Sequence, residues 1–388
     1  MSPRLRRMTG MTTDLDFKCA WSGADDTRAA LAEVCERIAQ PRPSCVCFYC
    51  SPRYDLEELA RGIRGIYDCP VLACTTAGEV VPGLGYVERG LAAASLQSPR
   101  IKVVQEVIPD VRRFDTGAAL QLQRRLVERL GGACPPDEKR FAMLLIDGLC
   151  EREEFVAAAI YGALNGVPLI GGSAGEAGAL VETRVFAEDA FRTHAATVTM
   201  LQTSLPAVVF KTDHFEPRDP RFVITRADPQ HRRLLEINGI APVDFYVEQT
   251  GIEQADFDAI HASRHPLLLP VGADHYARGV RATEADGTLA MFCAIEEGIV
   301  MRLGHPTDIV ANLRRQQRAL ADMLPGHVVT LGFDCFYRKM EVLDRQLKDA
   351  VRPVVDDLNL FAFNTYGEQF NGIHVNQTLT GIALGVPV

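Results

Sequence analysis

Short apolar runs alternate with amphipathic segments along this chain, and the first complete example lies between residues 45 and 79. The run 45–50 is followed by a segment in which Leu56, Leu59, Ile63 and Ile66 recur at helical spacing. A second apolar run then ends in Thr-Thr-Ala-Gly-Glu at Glu79. This pattern predicts a strand, a helix and a second strand that ends in a glycine and a carboxylate.

The same unit recurs twice. In the second copy, Asp147, Val156 and Glu176 each lie 97 positions after their counterparts Cys50, Leu59 and Glu79. A third, looser copy begins near residue 328 and reaches Gly367-Glu368. Strands joined through a helix favour parallel pairing. The sequence therefore predicts an α/β protein whose two domains are built from repeated strand-helix-strand units around mixed sheets.

The predicted organisation has three parts. Residues 1–40 form an N-terminal extension with a leading helix, 41–240 a first domain and 241–388 a second. Alternating, proline-punctuated runs between 195 and 250 predict antiparallel strands, and 228–239 predicts a short helix with a glycine stop. Strands at 267–271, 277–282 and 289–293, with a turn at Asp286-Gly287, predict a β-meander before the third repeat.

Composition narrows the class of protein. Hydrophobic residues make up 47% and charged residues 23%, which is typical of a globular chain. The net charge of −9 disfavours binding to nucleic acid and to anionic lipid. No signal-peptide core and no apolar run long enough to span a membrane occurs, which predicts a cytoplasmic location. The eleven cysteines lie mostly in apolar runs, so they indicate buried thiols and not disulfides.

The three Gly-Glu pairs follow predicted strands, and ligand sites in α/β sheets collect at the carboxyl ends of strands. Glu79, Glu176 and Glu368 are therefore candidates to line related pockets. The alternative is structural, with each glycine in a turn at positive φ and each glutamate capping the backbone that follows. The sequence leaves both interpretations open.

Several of these runs together resemble the FIST family, with its FIST N and FIST C halves. The matching segments are Pro-Val-Leu-Ala-Cys-Thr-Thr-Ala-Gly-Glu ending at Glu79, Leu-Ile-Gly-Gly-Ser-Ala-Gly-Glu at 169–176, Cys335 with Arg338, Thr-Tyr-Gly-Glu at 365–368 and His-Val-Asn-Gln-Thr at 374–378. The resemblance covers roughly 45–384. It implies a sensory module that binds a small ligand, with amino acids among the ligands suggested for the family.

The chain is similar in length and layout to the stand-alone FIST proteins that bind haem and sense nitric oxide. This resemblance implies haem as the ligand and a histidine kinase or a cyclic-di-GMP enzyme on a separate chain as the signalling partner. The sequence leaves open whether the chain forms a homodimer. No catalytic signature indicates an enzyme, because GxSxG, P-loop and complete GxGxxG motifs are absent.

Haem requires an axial ligand such as histidine. His374 is the first candidate for the haem iron, since it follows the third Gly-Glu, and His214, flanked by Asp213, is the second. His261 and His265 have i, i+4 spacing but lack an HExxH pattern, which disfavours a zinc site. For His374, a purely structural hydrogen bond to the backbone is the competing interpretation.

An amino-acid ligand would need different chemistry. Glu368 is the candidate partner of its ammonium group and Arg338 of its carboxylate, with hydrogen bonds from Asn376 and Gln377 and an apolar cover from Tyr366. A third hypothesis is a cysteine-dependent enzyme with Cys335 as nucleophile and His374 as base. No spacing in the sequence shows that these two residues are neighbours.

Overall fold

The computed structural model describes residues 14–176 and 180–388, so residues 1–13 of the predicted N-terminal extension lie outside it. The strands in the first half of the chain are β1 (Asp16–Ser22), β2 (Cys45–Cys50), β3 (Val71–Thr75), β4 (Glu79–Val81), β5 (Gly85–Val87), β6 (Leu91–Gln97), β7 (Ile101–Ile108), β8 (Lys139–Ile146), β9 (Leu169–Ser173), β10 (Val185–Ala187), β11 (Ala190–Arg192) and β12 (Ala196–Thr203).

The later strands are β13 (Ala207–Thr212), β14 (Phe215–Asp228), β15 (Arg233–Ile237), β16 (Leu267–Val271), β17 (Asp274–Arg278), β18 (Val280–Thr283), β19 (Leu289–Met291), β20 (Val300–Pro306), β21 (His327–Cys335), β22 (Leu360–Thr365), β23 (Glu368–Phe370), β24 (Ile373–Val375) and β25 (Leu379–Gly385). The helices are α1 (Thr27–Ile38), α2 (Leu56–Ile66), α3 (Thr116–Arg129), α4 (Glu153–Leu164), α5 (Pro242–Thr250), α6 (Ala259–Arg264), α7 (Ile309–Met323), α8 (Phe336–Asp344) and α9 (Lys348–Asp357), with 3₁₀ turns at Val111–Arg113 and Gln254–Asp256.

The same succession of elements occurs three times. Each repeat has an edge strand, a helix, a strand, one or two helices, a parallel strand, a hairpin and a closing strand. The central pairs β2–β3, β8–β9 and β21–β22 are parallel, whereas the closing strands β6, β12 and β25 pair antiparallel with their neighbours. The predicted α/β class with mixed sheets is confirmed.

The repeats exchange their hairpins. The hairpin β4–β5 of the first repeat joins the sheet of the third, β10–β11 of the second joins the first, and β23–β24 of the third joins the second. The three six-stranded sheets therefore have the orders β1-β6-β2-β3-β10-β11, β7-β12-β8-β9-β23-β24 and β13-β25-β21-β22-β4-β5. This cyclic exchange ties each repeat to both others.

The sheets turn one face towards a common core and the other towards helices. Tyr49, Leu145, Phe333 and Phe363 belong to the shared core, in which side chains of all three repeats pack together. Helices α1 and α2 cover the first sheet, α3 and α4 the second, and α7 to α9 the third. A sheet that is buried on both faces explains why runs such as 45–50 are continuously apolar.

An additional unit lies between β13 and α7. It contains strands β14 to β20 in the order β17-β16-β20-β14-β15-β19-β18, with α5 and α6, and it has its own core. Residue 240, where the sequence predicts a domain boundary, lies within this inserted unit, and the boundary itself stays a prediction. No helix of the described residues is both long and apolar enough to cross a membrane.

The predicted helix at 228–239 is wrong. Residues 229–232 form a turn, and β15 follows with β14 on one side and β19 on the other. Leu234 and Ile237 are buried in the core of the inserted unit. Pairing on both edges and burial of these apolar side chains together outweigh the local helix preference of the segment.

Candidate functional site

The three Gly-Glu turns meet at the carboxyl ends of β3, β9 and β22. Backbone hydrogen bonds join the turns, from Gly175 N to Thr75 O at 2.9 Å, from Ala77 N to Asn364 O at 3.1 Å and from Ser173 N to Gly367 O at 2.8 Å. A side chain at Gly175 would meet Ala77 N at 3.0 Å, so only glycine fits this junction without displacement. The strand ends therefore interlock the repeats instead of surrounding an open pocket.

All three glutamates are buried, and two of them, Glu79 and Glu368, are bonded to hydroxyl groups. The Glu79 carboxyl accepts a hydrogen bond from Thr76 Oγ1 at 2.5 Å. In the same way, Thr365 donates to one oxygen of Glu368, and Thr378 donates to the other oxygen through its N–H and its hydroxyl, at 3.0 and 2.8 Å. Burial raises the pKa of both carboxyls to about 8. Glu368 thus faces neighbouring protein groups.

These carboxyls predict a pH dependence of stability. Below the unfolded-state pKa of 4.5, both the folded and the unfolded chain hold these protons and the full stability is present. Between about 4.5 and 8 only the folded chain keeps them, so each carboxyl contributes a fall of about 1.4 kcal/mol per pH unit to the free energy of unfolding as pH rises. Urea unfolding at pH 5, 6, 7 and 8 measures this slope. Glu79→Gln with Glu368→Gln should flatten it, and an unchanged slope in this double variant contradicts the expectation.

His374 is fully buried on β24. Its Nδ1 lies 3.1 Å from Gln369 Nε2, and its carbonyl oxygen accepts from Arg278 at 3.2 Å. Burial lowers the pKa of its imidazole to about 4, so the ring is neutral at pH 7. A side chain at Gly367 would meet His374 Nε2 at 2.6 Å. The Gly367 backbone therefore packs against this nitrogen, which is buried and has no hydrogen-bond partner among the described residues.

Asn376 and Tyr366 connect the inserted unit to the repeats. Asn376 Oδ1 accepts from Gly279 N at 2.9 Å, and its Nδ2 donates to the Tyr366 carbonyl at 3.2 Å. The Tyr366 ring packs 5.5 Å from that of Phe292, in the inserted unit, and its hydroxyl donates to Glu176 O at 3.1 Å. Both residues therefore lie at the interface between the inserted unit and the three repeats.

A cavity of ≈ 580 Å³ lies in the cleft between the inserted unit and α8. One wall is formed by α6 of the inserted unit and the residues next to it in sequence. The other wall is formed by α8. Among the lining residues are His214, Ile260, Arg264, Tyr337, Arg338, Glu341 and Gln377. Of the seven residues predicted to bind haem or an amino acid, the structure brings His214, Arg338 and Gln377 together in this wall. His374, Tyr366, Glu368 and Asn376 are not among its lining residues.

Arg338 is the most unusual residue of the cavity wall, because its side chain is fully buried. Its Nε donates to Asp334 Oδ1 at 2.8 Å, and its Nη1 lies 3.2 Å from His214 Nδ1. The other oxygen of Asp334 accepts from Tyr86 at 2.8 Å and from Asn364 at 3.0 Å. The guanidinium is therefore held in place by groups from two repeats.

Both nitrogens of His214 are engaged. Nδ1 faces Arg338, and Nε2 lies 2.6 Å from Glu341 Oε2. Burial lowers the pKa of the imidazole, so a neutral ring accepts from Arg338 and donates to Glu341. Neither predicted histidine thus offers iron an accessible nitrogen. In the described parts of the chain, no cluster of three or more His, Cys, Asp or Glu side chains is arranged to hold a metal ion.

Sequence reasoning missed two features of the cleft. Glu341 on α8 and the residues of α6 line opposite walls because the inserted unit packs against α8, and no sequence motif indicates this contact. Gln377 was considered only as an accessory donor, yet it is 1% exposed and adopts a left-handed backbone with φ 59°. A non-glycine residue in this conformation is uncommon and often marks a functional position.

The repeats, the inserted unit and the cleft between them define a mixed α/β protein with a small-molecule-sized cavity between two units. This chain belongs to the FIST family: a FIST N domain matches residues 44–240 and a FIST C domain matches residues 242–371. FIST domains are signalling and sensory domains. The family assignment predicted from the sequence is confirmed.

Other comparisons add little. No protein of curated function matches the chain. Among solved structures, the crystal structure of cyanuric acid hydrolase from A. caulinodans aligns with 96% of this chain and 100% of its own, at 10% identity and a TM-score of 0.35. A similarity this low supports no conclusion about function.

Proposed function

We propose that this chain is a sensory protein that binds a small ligand in the cleft between the inserted unit and α8. Ligand binding would change the affinity of this chain for a signalling partner on a separate chain, such as a histidine kinase or a cyclic-di-GMP enzyme. The carrying observation is the ≈ 580 Å³ cavity, whose wall holds a buried Arg338 and mixes polar with apolar side chains. Ligand sites commonly combine this size with a few placed polar groups.

The position of the cleft between two units is also suited to a sensor. Its two walls belong to different units, so a ligand that contacts both favours one relative arrangement of them by its difference in affinity. At its mouth the exposed ion pair of Arg264 and Asp344, at 3.2 Å, joins α6 to α8. Arg338 further links the cavity through Asp334 to Tyr86 of the first repeat.

Haem stays a prediction from family resemblance. Both nitrogens of His214 are engaged and the Gly367 backbone covers His374 Nε2, so these residues support haem poorly. Absorbance spectra after haem addition test it directly. A Soret band of ligated haem that shifts with nitric oxide and disappears in His374→Ala would establish haem and displace the proposal of a metabolite in the cleft.

A cysteine-dependent enzyme is also poorly supported. Cys335 is buried at the start of α8, and burial raises the pKa of its thiol well above the usual value. The nucleophilic thiolate is therefore disfavoured. The hydrogen bonds of His374 in the described residues go to Gln369 and Arg278. We accordingly propose a binding protein without its own catalytic reaction.

Thermal unfolding in a metabolite library tests the proposed site. A ligand at 100 times its Kd should stabilise the folded chain by about 2.7 kcal/mol and raise the Tm. Ile260→Trp, which fills the cavity from α6, should abolish this shift, whereas Leu120→Trp on the exposed face of α3 should preserve it. Shifts that persist equally in both variants would place the ligand elsewhere.

A further inference from the structure

Helix α7 carries three arginines on its solvent-facing side, Arg314, Arg315 and Arg318. All three are exposed, and their side chains form no ion pair and no hydrogen bond with other described residues. At about 3.6 residues per turn, the three positions span about 100° of the helix circumference. Leu313 and Leu320 lie on the opposite side and are buried in the core beneath α7. The three arginines therefore form a basic face on the exposed side of this helix.

The chain's own carboxylates do not neutralise the basic face. On α3, by contrast, the partly exposed Arg125 and Arg129 both pair with Glu106, at 2.6 and 3.0 Å. On α7, Asp322 lies four positions after Arg318, and no ion pair joins their side chains. The whole chain has 41 Lys and Arg against 50 Asp and Glu. Three adjacent unpaired positive charges on this acidic chain create a local field that attracts negative groups.

The first turn of α7 is bound to the cleft. Asp308 lines the cavity and caps α7 by accepting from two backbone N–H groups, at 2.8 and 2.9 Å. Asn312, one turn further on, donates to the Asp213 carbonyl at 2.6 Å, in the connection from β13 to β14. Thr307, just before α7, donates to the His214 carbonyl at 2.7 Å through its N–H and at 2.8 Å through its hydroxyl. These bonds tie the start of α7 to both chain connections between the inserted unit and the repeats.

A movement of the inserted unit would therefore reach the basic face directly. Such a movement displaces the two connections, and the start of α7 is bonded to both of them. The helix has 15 residues and extends about 22 Å as one rigid element. Arg314 follows Asn312 by only two residues. A partner bound to the basic face would respond to the state of the cleft through this single helix.

A separate protein chain with an acidic surface fits this face better than other occupants. The net charge of −9 opposes binding to the large phosphate surfaces of nucleic acid and anionic lipid. A two-fold dimer centred on α7 would place basic face against basic face. A head-to-tail contact between copies would extend into rings or filaments, and the like net charge of the copies opposes their approach. A carboxylate-rich segment of another protein has none of these disadvantages.

We propose that the basic face of α7 is the docking surface for a carboxylate-rich segment of the signalling partner. This inference rests on the proposed function and names the surface that the partner contacts. Each guanidinium presents a planar fork of N–H donors that fits a carboxylate bidentately. Arginine is also enriched in protein–protein interfaces.

A photo-cross-linking amino acid on α7 tests the surface and identifies the partner. In the native host cell, p-benzoylphenylalanine is introduced in place of Ala321, which is exposed and lies three residues after Arg318. The same amino acid in place of Leu120, which is 50% exposed on α3, is the matched control. We expect a protein adduct from position 321 and none from position 120. Mass spectrometry of the adduct should find clustered Asp or Glu residues at the cross-linked peptide.

Charge reversal then measures the contribution of the basic face with the purified partner. The triple variant Arg314→Glu, Arg315→Glu and Arg318→Glu should raise the Kd about tenfold or more, chiefly through slower association, because complementary charges steer the encounter. Reversing the cross-linked carboxylates of the partner to arginine should restore the affinity for this variant. Surface plasmon resonance gives both rate constants, and circular dichroism checks the fold.

A second triple variant with the same change in net charge separates the basic face from the overall field of the chain. Arg42, Lys102 and Arg124 are exposed, and their side chains form no ion pair with other described residues. Arg42→Glu, Lys102→Glu and Arg124→Glu together should raise the Kd by no more than about threefold. An equal loss of affinity in the two triple variants would assign the effect to total charge and overturn the docking surface.

The outcomes separate this inference from the proposed function. Adducts of position 321 with a second copy, with lipid or with nucleic acid overturn the inference, as does the absence of any adduct. An unchanged Kd in the α7 variant also overturns it, whereas a ligand-dependent rise in Tm would keep the cleft as the ligand site. If the α7 variant loses the partner but no ligand raises the Tm, the docking surface stands and the proposed ligand site fails.

Discussion

Arg232→Met is expected to lower the free energy of unfolding by about 3–5 kcal/mol, because it leaves the buried carboxylate of Glu153 and the part-buried carboxylate of Glu154 without their partner. Arg232 is 4% exposed, and its Nη2 lies 2.5 Å from both Glu153 and Glu154 at the start of α4. Its Nη1 donates to the Phe292 carbonyl at 2.5 Å. Urea denaturation at pH 7 followed by circular dichroism measures the loss.

A matched control is the exposed pair of Arg226 and Glu236, at 2.7 Å on the inserted sheet. Arg226→Met should cost at most about 1 kcal/mol, since solvent screens surface ion pairs. Adding Glu153→Gln and Glu154→Gln to Arg232→Met should restore part of the stability, because no buried charge is then left unpaired. A loss from Arg232→Met as small as that from Arg226→Met would contradict the assigned role.

This ion cluster also docks the inserted unit on the second repeat. Glu154 accepts from Ala294 N at 2.5 Å in addition to Arg232, so the contact joins α4 to two segments of the inserted unit. Loss of this cluster should weaken one of the contacts that hold the inserted unit against the second repeat. Hydrogen exchange of Arg232→Met should accordingly rise in β15 and β19 more than in the shared core of the three sheets.

Gly171→Ala is expected to destabilise the chain by about 3 kcal/mol, at the upper end of the cost of overpacking a core. Its Cβ would lie 2.2 Å from the Leu144 carbonyl oxygen, on the paired strand β8. A backbone oxygen in a ladder cannot withdraw without breaking the pairing, and Gln369 Oε1 at 2.8 Å blocks the same space. Thermal and urea unfolding of the purified variant give the magnitude.

The matched substitution is Gly162→Ala within α4. No atom lies within 4 Å of its added Cβ, and alanine restricts the unfolded chain more than glycine does. This variant should be more stable than the parent by about 0.4–1 kcal/mol. Tolerance of Gly171→Ala would mean that β8 and β9 are spaced more widely than the structure has them.

The sequence pattern predicted the repeated units well because each is local. In the first, β2 and β3 lie within 31 residues, from Cys45 to Thr75, and a single helix joins them. Apolar periodicity is enough to mark such a unit, and the parallel pairing follows from the crossover. The offset of 97 between Glu79 and Glu176 reflects equivalent strand ends in two real repeats.

The sequence pattern did not predict contacts between residues that are far apart in the chain. The helix expected at 228–239 became β15, because strands on both sides supply its hydrogen bonds. The exchange of hairpins places Tyr86 against Asp334, 248 positions away. Nothing in the local pattern of either residue specifies this partner, since it depends on how complete sheets pack.

For the candidate site as well, some properties were predictable from the sequence and others depended on tertiary packing. Residue types and motifs were sufficient to name His214, Arg338, Glu368 and His374 as candidate ligand-binding residues. Tertiary packing alone decided that the first two face a cavity, whereas Glu368 faces Thr378 and His374 faces Gln369. The sequence determines the chemistry of each side chain. Whether that side chain contacts a ligand or another residue depends on which surfaces remain uncovered after the folded units have packed together.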